Sequence, residues 1–144
     1  MNELKGSCHC GNIELSLFTE QHEHNFIPRR CCCSMCRRHG ASYVSDPSAR
    51  LHLRYKDISL LSLYRVGHGT AQWVICSRCG VLTAVLCEID GHLRAVVRVQ
   101  SMVEHSFPGP EVLTNFDAES VEERLGRRAR TWIGTVTVSP PLPS

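Results

Sequence analysis

No stretch of this chain is apolar for more than a few residues, so it offers no helix able to span a membrane. The opening residues, MNELKGSCHCG, have no basic segment followed by an apolar run, which argues against a secretory signal. That places the chain, as an expectation, in the reducing cytoplasm, where lasting disulfides are unusual. Internal repeats at solenoid spacing and long linkers are missing, and so is a glycine-rich phosphate loop. Asp46, Asp57 and Asp90 form no interpretable carboxylate pair, and no Ser-His-Asp order can be defended. Disorder is excluded too: 42% hydrophobic against 21% charged residues is the balance of a globular protein. At 144 residues the chain reads as one domain over 1–138, followed by a flexible tail, SPPLPS, at 139–144.

What is present in excess is cysteine. There are nine: Cys8, Cys10, Cys31, Cys32, Cys33, Cys36, Cys76, Cys79 and Cys87. An odd number, clustered, in a reducing setting points to metal or thiol chemistry rather than a disulfide framework. The formal net charge of +2 counts every cysteine as neutral. Thiolates on zinc would cancel that excess, so the charge carries no case for nucleic acid.

Short strands are expected at 12–18, 51–55, 58–66, 70–76, 81–89 and 93–99, with DGH (90–92) as a hairpin turn. In the first, Ile13, Leu15 and Leu17 alternate with polar neighbours, as in a half-buried strand. A short helix should start near Ser34 as N-cap and stop before Gly40. A second should start at SVEE (120–123), a capping-box pattern, with Val121, Leu125 and Ala129 on its apolar face and Gly126 weakening it. Trp73 and Trp132 read as core residues.

Cys76-x-x-Cys79-Gly80 has the shape of a zinc knuckle, whose tight turn points both sulfurs at one centre. Cys8 and Cys10 are expected to share a face by strand alternation while His9 points away. Together the two pairs supply four thiolates for one closed, structural zinc site. In RRCCCSMCRRHG (29–40), Cys31 and Cys33 share a face by the same alternation, and Cys36 returns to them through Cys-x-x-Cys. Cys32 falls on the opposite face. Three converging thiolates with one vacant position is the arrangement of a catalytic zinc. A second structural site, closed by His39 or Cys87, is the competing reading; His39 reads more simply as a solvent-facing residue. Arg29, Arg30, Arg37 and Arg38 suit either an anionic substrate held over the metal or plain neutralisation of thiolates.

These motifs carry a likeness. GSCHCG, then CxCSxCRRxG, then CxxCG resembles the glutathione-dependent formaldehyde-activating enzyme family, which also includes the centromere protein V group. The likeness spans roughly 5–100 and matches the order and spacing of seven cysteines. It implies a mainly β, zinc-organised antiparallel β-tent with one or two short helices. It puts Cys8, Cys10, Cys76 and Cys79 on a structural zinc and Cys31, Cys33 and Cys36 on a second, open zinc. The implied activity is that of a carbon–sulfur lyase: addition of glutathione to formaldehyde, giving S-hydroxymethylglutathione, or similar chemistry on another thiol–aldehyde adduct. Arg37 and Arg38 are then candidates to grip the carboxylates of glutathione. The chain departs from the family at Cys32, where histidine is common.

Two other readings stand beside this one. The first is a non-catalytic zinc scaffold or partner-binding module. Arg124, Arg127, Arg128 and Arg130 could then meet an acidic partner or nucleic acid, but Glu119, Glu122 and Glu123 share that helix, and Glu123 is placed to pair with Arg127. A solvated, salt-bridged face is the simpler expectation. The second is a redox enzyme using Cys32 or Cys87; Cys87, in the apolar AVLCEID, reads better as a buried inert thiol.

Overall fold

A computed structural model describes residues 1–103 and 107–143. Strand β1 (Asn2–Ser7) pairs antiparallel with β2 (Ile13–Thr19), placing Leu4 opposite Leu17. The alternation expected at 12–18 is real: Ile13, Leu15 and Leu17 are all buried. Next in the chain come β3 (Arg29–Cys31), α1 (Ser34–His39), β4 (Ser42–Val44) and β5 (Arg50–Tyr55). β5 pairs antiparallel with β2 and sets Leu51 and Leu53 opposite Leu17 and Leu15. These facing leucines make the inner face of a four-stranded sheet, ordered β1-β2-β5-β11, where β11 (Thr135–Ser139) lies parallel to β5.

The larger sheet has seven strands. It adds β6 (Leu61–Tyr64), β7 (Gln72–Cys76), β8 (Leu82–Ile89), β9 (His92–Arg98) and β10 (Val112–Thr114), in the order β10-β3-β4-β9-β8-β7-β6. Both sheets are mixed. Pairing is mostly antiparallel, as expected, and turns parallel at one edge of each sheet, where β10 lies parallel to β3 and β11 to β5. Those two strands arrive through long connections, and a crossover permits parallel pairing where a hairpin does not.

The seven-stranded sheet buries both faces. Val44, Val74, Ala84, Leu86, Ala95 and Val97 meet the leucines of β2 and β5 in the main core. On the other face Tyr43, Trp73, Val85, Cys87, Val96 and Trp132 form a second cluster. Six consecutive residues of β8, from Leu82 to Cys87, are therefore buried, which is why its sequence runs apolar without alternation. The Asp90–Gly91 turn joins β8 to β9 as expected, both residues at positive φ.

α2 (Val121–Thr131) packs over that second face, and its capping box is formed: Glu123 N–H donates to Ser120 Oγ, and Ser120 N–H to Glu123 Oε1. Two helix expectations fail. Val121 is exposed, and the most buried residue of α2 is Arg128, at 8%. The expected Glu123–Arg127 pair is also missing, because the cap occupies Glu123; Arg127 is forked onto Glu119 instead, at 3.0 Å. α1 is capped by Cys33 rather than Ser34. At the C-terminal end the Tyr55 hydroxyl donates to the Pro141 carbonyl, and Leu142 packs against the main core. Residues 139–142, read from the sequence as the start of a tail, thus lie against the four-stranded sheet. Among the described residues no helix is long and apolar enough to cross a membrane.

Candidate metal centres

The sulfurs of Cys8, Cys10, Cys76 and Cys79 lie within 4.8 Å of one another. Cys8 follows β1 and Cys76 ends β7, so this group ties the smaller sheet to the larger one. The knuckle at Cys76–Gly80 is built as the sequence suggested: Gly80 N–H donates to the Cys76 carbonyl at 2.8 Å with Gly80 at φ 78. The Cys8–Cys10 half is built differently. Residues 9 and 10 form a turn, closed by Gly11 N–H on the Cys8 carbonyl with Gly11 at φ 84, and the two sulfurs meet across it at 3.7 Å. A turn, not strand alternation, brings them together. Cys10 and Cys76 sulfurs are 3.5 Å apart.

Burial pushes the Cys8 thiol up to about 11, against the pull of the Ile13 amide on its sulfur. Cys79 goes the other way. Burial opposes its ionisation, but the backbone amides of Cys10 and Val81, with the thiols of Cys76 and Cys8, outweigh it and bring it to about 6. A ready thiolate at Cys79 beside a protonated Cys8 favours the first step of metal binding, which releases protons from the thiols that remain.

The second group is Cys31, Cys33 and Cys36, also within 4.8 Å of one another. Cys31 ends β3, Cys33 caps α1 with its sulfur accepting from Cys36 N–H at 3.4 Å, and Cys36 sits one turn into the helix. The other thiols and the amides of Cys36 and Met35 hold Cys33 well below the ordinary thiol range. Cys31 is pushed far up, by donating to Cys33 and Cys36 and by burial. The negative charge thus settles on the sulfur at the helix start, where free amides favour it. Cys32, Cys87 and His39 lie outside this group among the described residues. Cys87 is buried and so enclosed, and it accepts a hydrogen bond from Arg128 Nη1 at 3.5 Å.

Two side chains the sequence did not single out for this role complete the centre. The Tyr43 hydroxyl lies 3.0 Å from Cys36 Sγ, and Trp73 Nε1 donates to the same sulfur at 3.5 Å. Burial, then the neighbouring Cys36, drives the Tyr43 phenol far up, so it stays protonated. Trp73 is a core residue, as read, and also a sulfur partner. Nothing local to Tyr43 marks it; only the pairing of β3 with β4 delivers it to Cys36.

A cavity of about 340 Å³ opens beside the three thiols. Cys31, Cys33, Cys36, Tyr43, Trp73 and Trp132 are part of its wall, and so are Arg29, Arg124, Arg127 and Arg128. Arg37 and Arg38, the expected anion grips, are not. Both are exposed, and Arg38 turns back to the Ser34 carbonyl at 2.8 Å. On a helix as short as α1 only one side can face the cavity, and Cys36 and Met35 occupy it. Arg30 is spent on Glu111, Nε to Oε1 at 2.6 Å. Of the arginines flanking the cysteines, Arg29 alone reaches the cavity; the others come from α2.

Fold and thiol geometry thus define a mainly β protein with two cysteine groups able to hold metal ions, one of four thiols joining the two sheets and one of three beside a cavity. No family model matches the chain. It is similar to a Rhodobacter sphaeroides protein whose crystal structure was solved as a Northeast Structural Genomics target. The two share 28% identity over 76% of this chain and 100% of the other, with a TM-score of 0.53.

Proposed function

We propose that this chain is a cytoplasmic two-zinc protein of the formaldehyde-activating type, a zinc-organised tent of two sheets that makes or breaks a carbon–sulfur bond in a thiol–aldehyde adduct. The observation that carries the reading is the contrast in ligand number: four thiols converge at one group, and three beside a cavity at the other. The donor set suits zinc. At a Zn–S distance near 2.3 Å, tetrahedral sulfurs stand about 3.8 Å apart; the spacings here are 3.5 and 3.7 Å. All nine cysteines are free, which fits a reducing compartment.

In this reading Cys8, Cys10, Cys76 and Cys79 hold the structural ion, and Cys31, Cys33 and Cys36 hold the second. When bound, the second ion supplies a Lewis acid that polarises an aldehyde oxygen or acidifies a thiol. The chain's own groups do the rest. Tyr43 and Trp73 fix the Cys36 sulfur and draw charge from it. The aromatic and aliphatic wall excludes water from a reversible addition, and the arginines offer forks for a carboxylate. The reaction balances without an oxidant: the thiol sulfur bonds the carbonyl carbon, and the thiol proton ends on the carbonyl oxygen. Glutathione with formaldehyde is the reference pair.

The test has two arms. Elemental analysis should find two zinc ions per chain in the reduced wild type and one in Cys33→Ser. Exchange spectroscopy on labelled formaldehyde with a small thiol, either glutathione or 3-mercaptopropionate, should show adduct exchange accelerated by wild type and not by Cys33→Ser. Two zinc ions with no acceleration would favour the scaffold reading; a single zinc in both proteins would remove the second metal site.

A further inference from the structure

Arg128 is a buried cation without an acid. It is 8% exposed and lines the cavity, and among the described residues its guanidinium meets no carboxylate. Nη1 donates to Thr70 Oγ1 at 3.0 Å and to Cys87 Sγ at 3.5 Å; Nε is buried with no hydrogen-bond partner. Its carbon Cζ stands 4.9 Å from the centre of the Trp132 ring. The guanidinium of Arg29, half-buried on the same wall, meets among the described residues only Ser45 Oγ, at 2.6 Å. The other two cavity arginines are already served: Arg124 and Arg127 share Glu119.

An unpaired buried charge is costly, and a protein keeps one where a ligand completes the pair. The electrostatics agree. Burial weakens Arg128's hold on its proton, its hydrogen bond to Cys87 works the other way, and Arg127 and Arg124 add repulsion. An incoming anion would relieve the burial cost and the repulsion together.

The rest of the wall limits what can carry that anion. Val66, Ala71, Trp73, Val96, Phe116 and Trp132 line the cavity, whereas its one carboxylate among the described residues, Asp117, is exposed to solvent. Such a wall suits a hydrocarbon or aryl body and offers little to a ligand bearing an ammonium, two amides and two carboxylates. We infer that the cavity receives a thiol with a single carboxylate and an apolar body, the carboxylate docking on Arg128 in the field of Arg29. The thiol part of this inference rests on the function proposed above; the carboxylate part stands on the arginines alone.

The chain has two tryptophans, and both line this cavity, so their emission reads its occupancy directly. The probe is 3-phenylpropionate, compared with its neutral twin 3-phenylpropanamide, on the zinc-loaded wild type. Neither has a thiol or an aldehyde, so binding is read whether or not the chain turns over an adduct. The acid should titrate the tryptophan emission about tenfold or more tightly than the amide, the scale of a charge-assisted hydrogen-bonded pair. Arg128→Gln should abolish the preference, and Arg128→Lys should retain part of it. Equal binding of acid and amide to wild type overturns the proposal, and that comparison decides even if Arg128→Gln fails to fold. S-methylglutathione binding more tightly than 3-phenylpropionate would overturn the single-carboxylate form. Loss of adduct exchange with the acid preference intact would remove the proposed reaction and leave the carboxylate site standing.

Discussion

The two cysteine groups use the same atoms for different ends. The group of Cys8, Cys10, Cys76 and Cys79 joins two glycine-bearing turns on different sheets; an ion there would close a long loop of chain and take no further ligand. The group of Cys31, Cys33 and Cys36 is local, within six residues at the mouth of a short helix, and has a cavity where a fourth ligand would stand. Sequence separation explains the contrast. A link between distant segments stabilises the fold, whereas a local group contributes little to stability and is free to serve chemistry.

The comparison breaks most visibly through stability. Cys76→Ser should lose the metal of the four-thiol group and destabilise the protein by about 4 kcal/mol or more, the range seen when a structural metal is lost. Thermal unfolding with metal analysis checks it. Cys33→Ser should lose one metal from the other group and move the midpoint far less. If both variants lose equal stability, the division into a structural and an open group is wrong.

An intermediate effect is expected at a residue that touches only one group. Tyr43→Phe removes the hydroxyl 3.0 Å from Cys36 Sγ and nothing else. It should weaken metal retention at the open group about tenfold, the usual scale for a partner of a metal ligand, and leave the four-thiol group unchanged. Competition with a chromophoric chelator resolves the two ions. A change at both would mean that Tyr43 acts through general packing.

The smallest effect concerns pH. Glu111 accepts from Arg30 and from Ser42, so it ties the strand carrying Cys31 to β4. Arg30, then Ser42, holds its carboxyl below the ordinary value of 4.5. A lowered folded value means that this contribution is complete above the unfolded value and fades as pH falls through the folded one. Glu111→Gln should therefore lower stability slightly near neutrality, where the contribution is complete, and flatten the acid limb of the stability curve below about pH 4.5. An unchanged acid limb would show that the tie carries no linkage; the groups are partly exposed, so the effect is small.

Much of the molecule was legible in the sequence, for reasons that vary by element. The strands at 13–19, 50–55, 82–89 and 92–98 follow from alternation, or from a continuous apolar run, between turn residues. Strand β1 was not foreseen, with Leu4 as its one clearly buried apolar side chain. β3, β4 and β10 have three residues each, too few for a period to register, and β11 was overlooked. The capping box was readable, yet its consequence was not: a Glu123 that caps cannot also pair with Arg127, and only the preceding loop, folding Glu119 back, showed which acid takes its place.

The division between sequence and fold is sharpest at the cavity. Cys-x-x-Cys and Cys-x-Cys spacings leave sulfurs little choice but to converge, because a two- or three-residue turn has few conformations. They therefore assign each pair and the whole Cys31–Cys33–Cys36 group before any fold is known, whereas the meeting of Cys8 and Cys10 with Cys76 and Cys79 needs the fold. Arginines have no such constraint. Arg37 and Arg38 lie beside Cys36 in the chain and point away from the cavity, while Arg128, more than ninety residues on, enters its wall. Short-range backbone geometry sets which neighbouring sulfurs meet. The packing of α2 over the outer face of the seven-stranded sheet sets which cations face them, and that packing depends on apolar contacts spread over the whole chain.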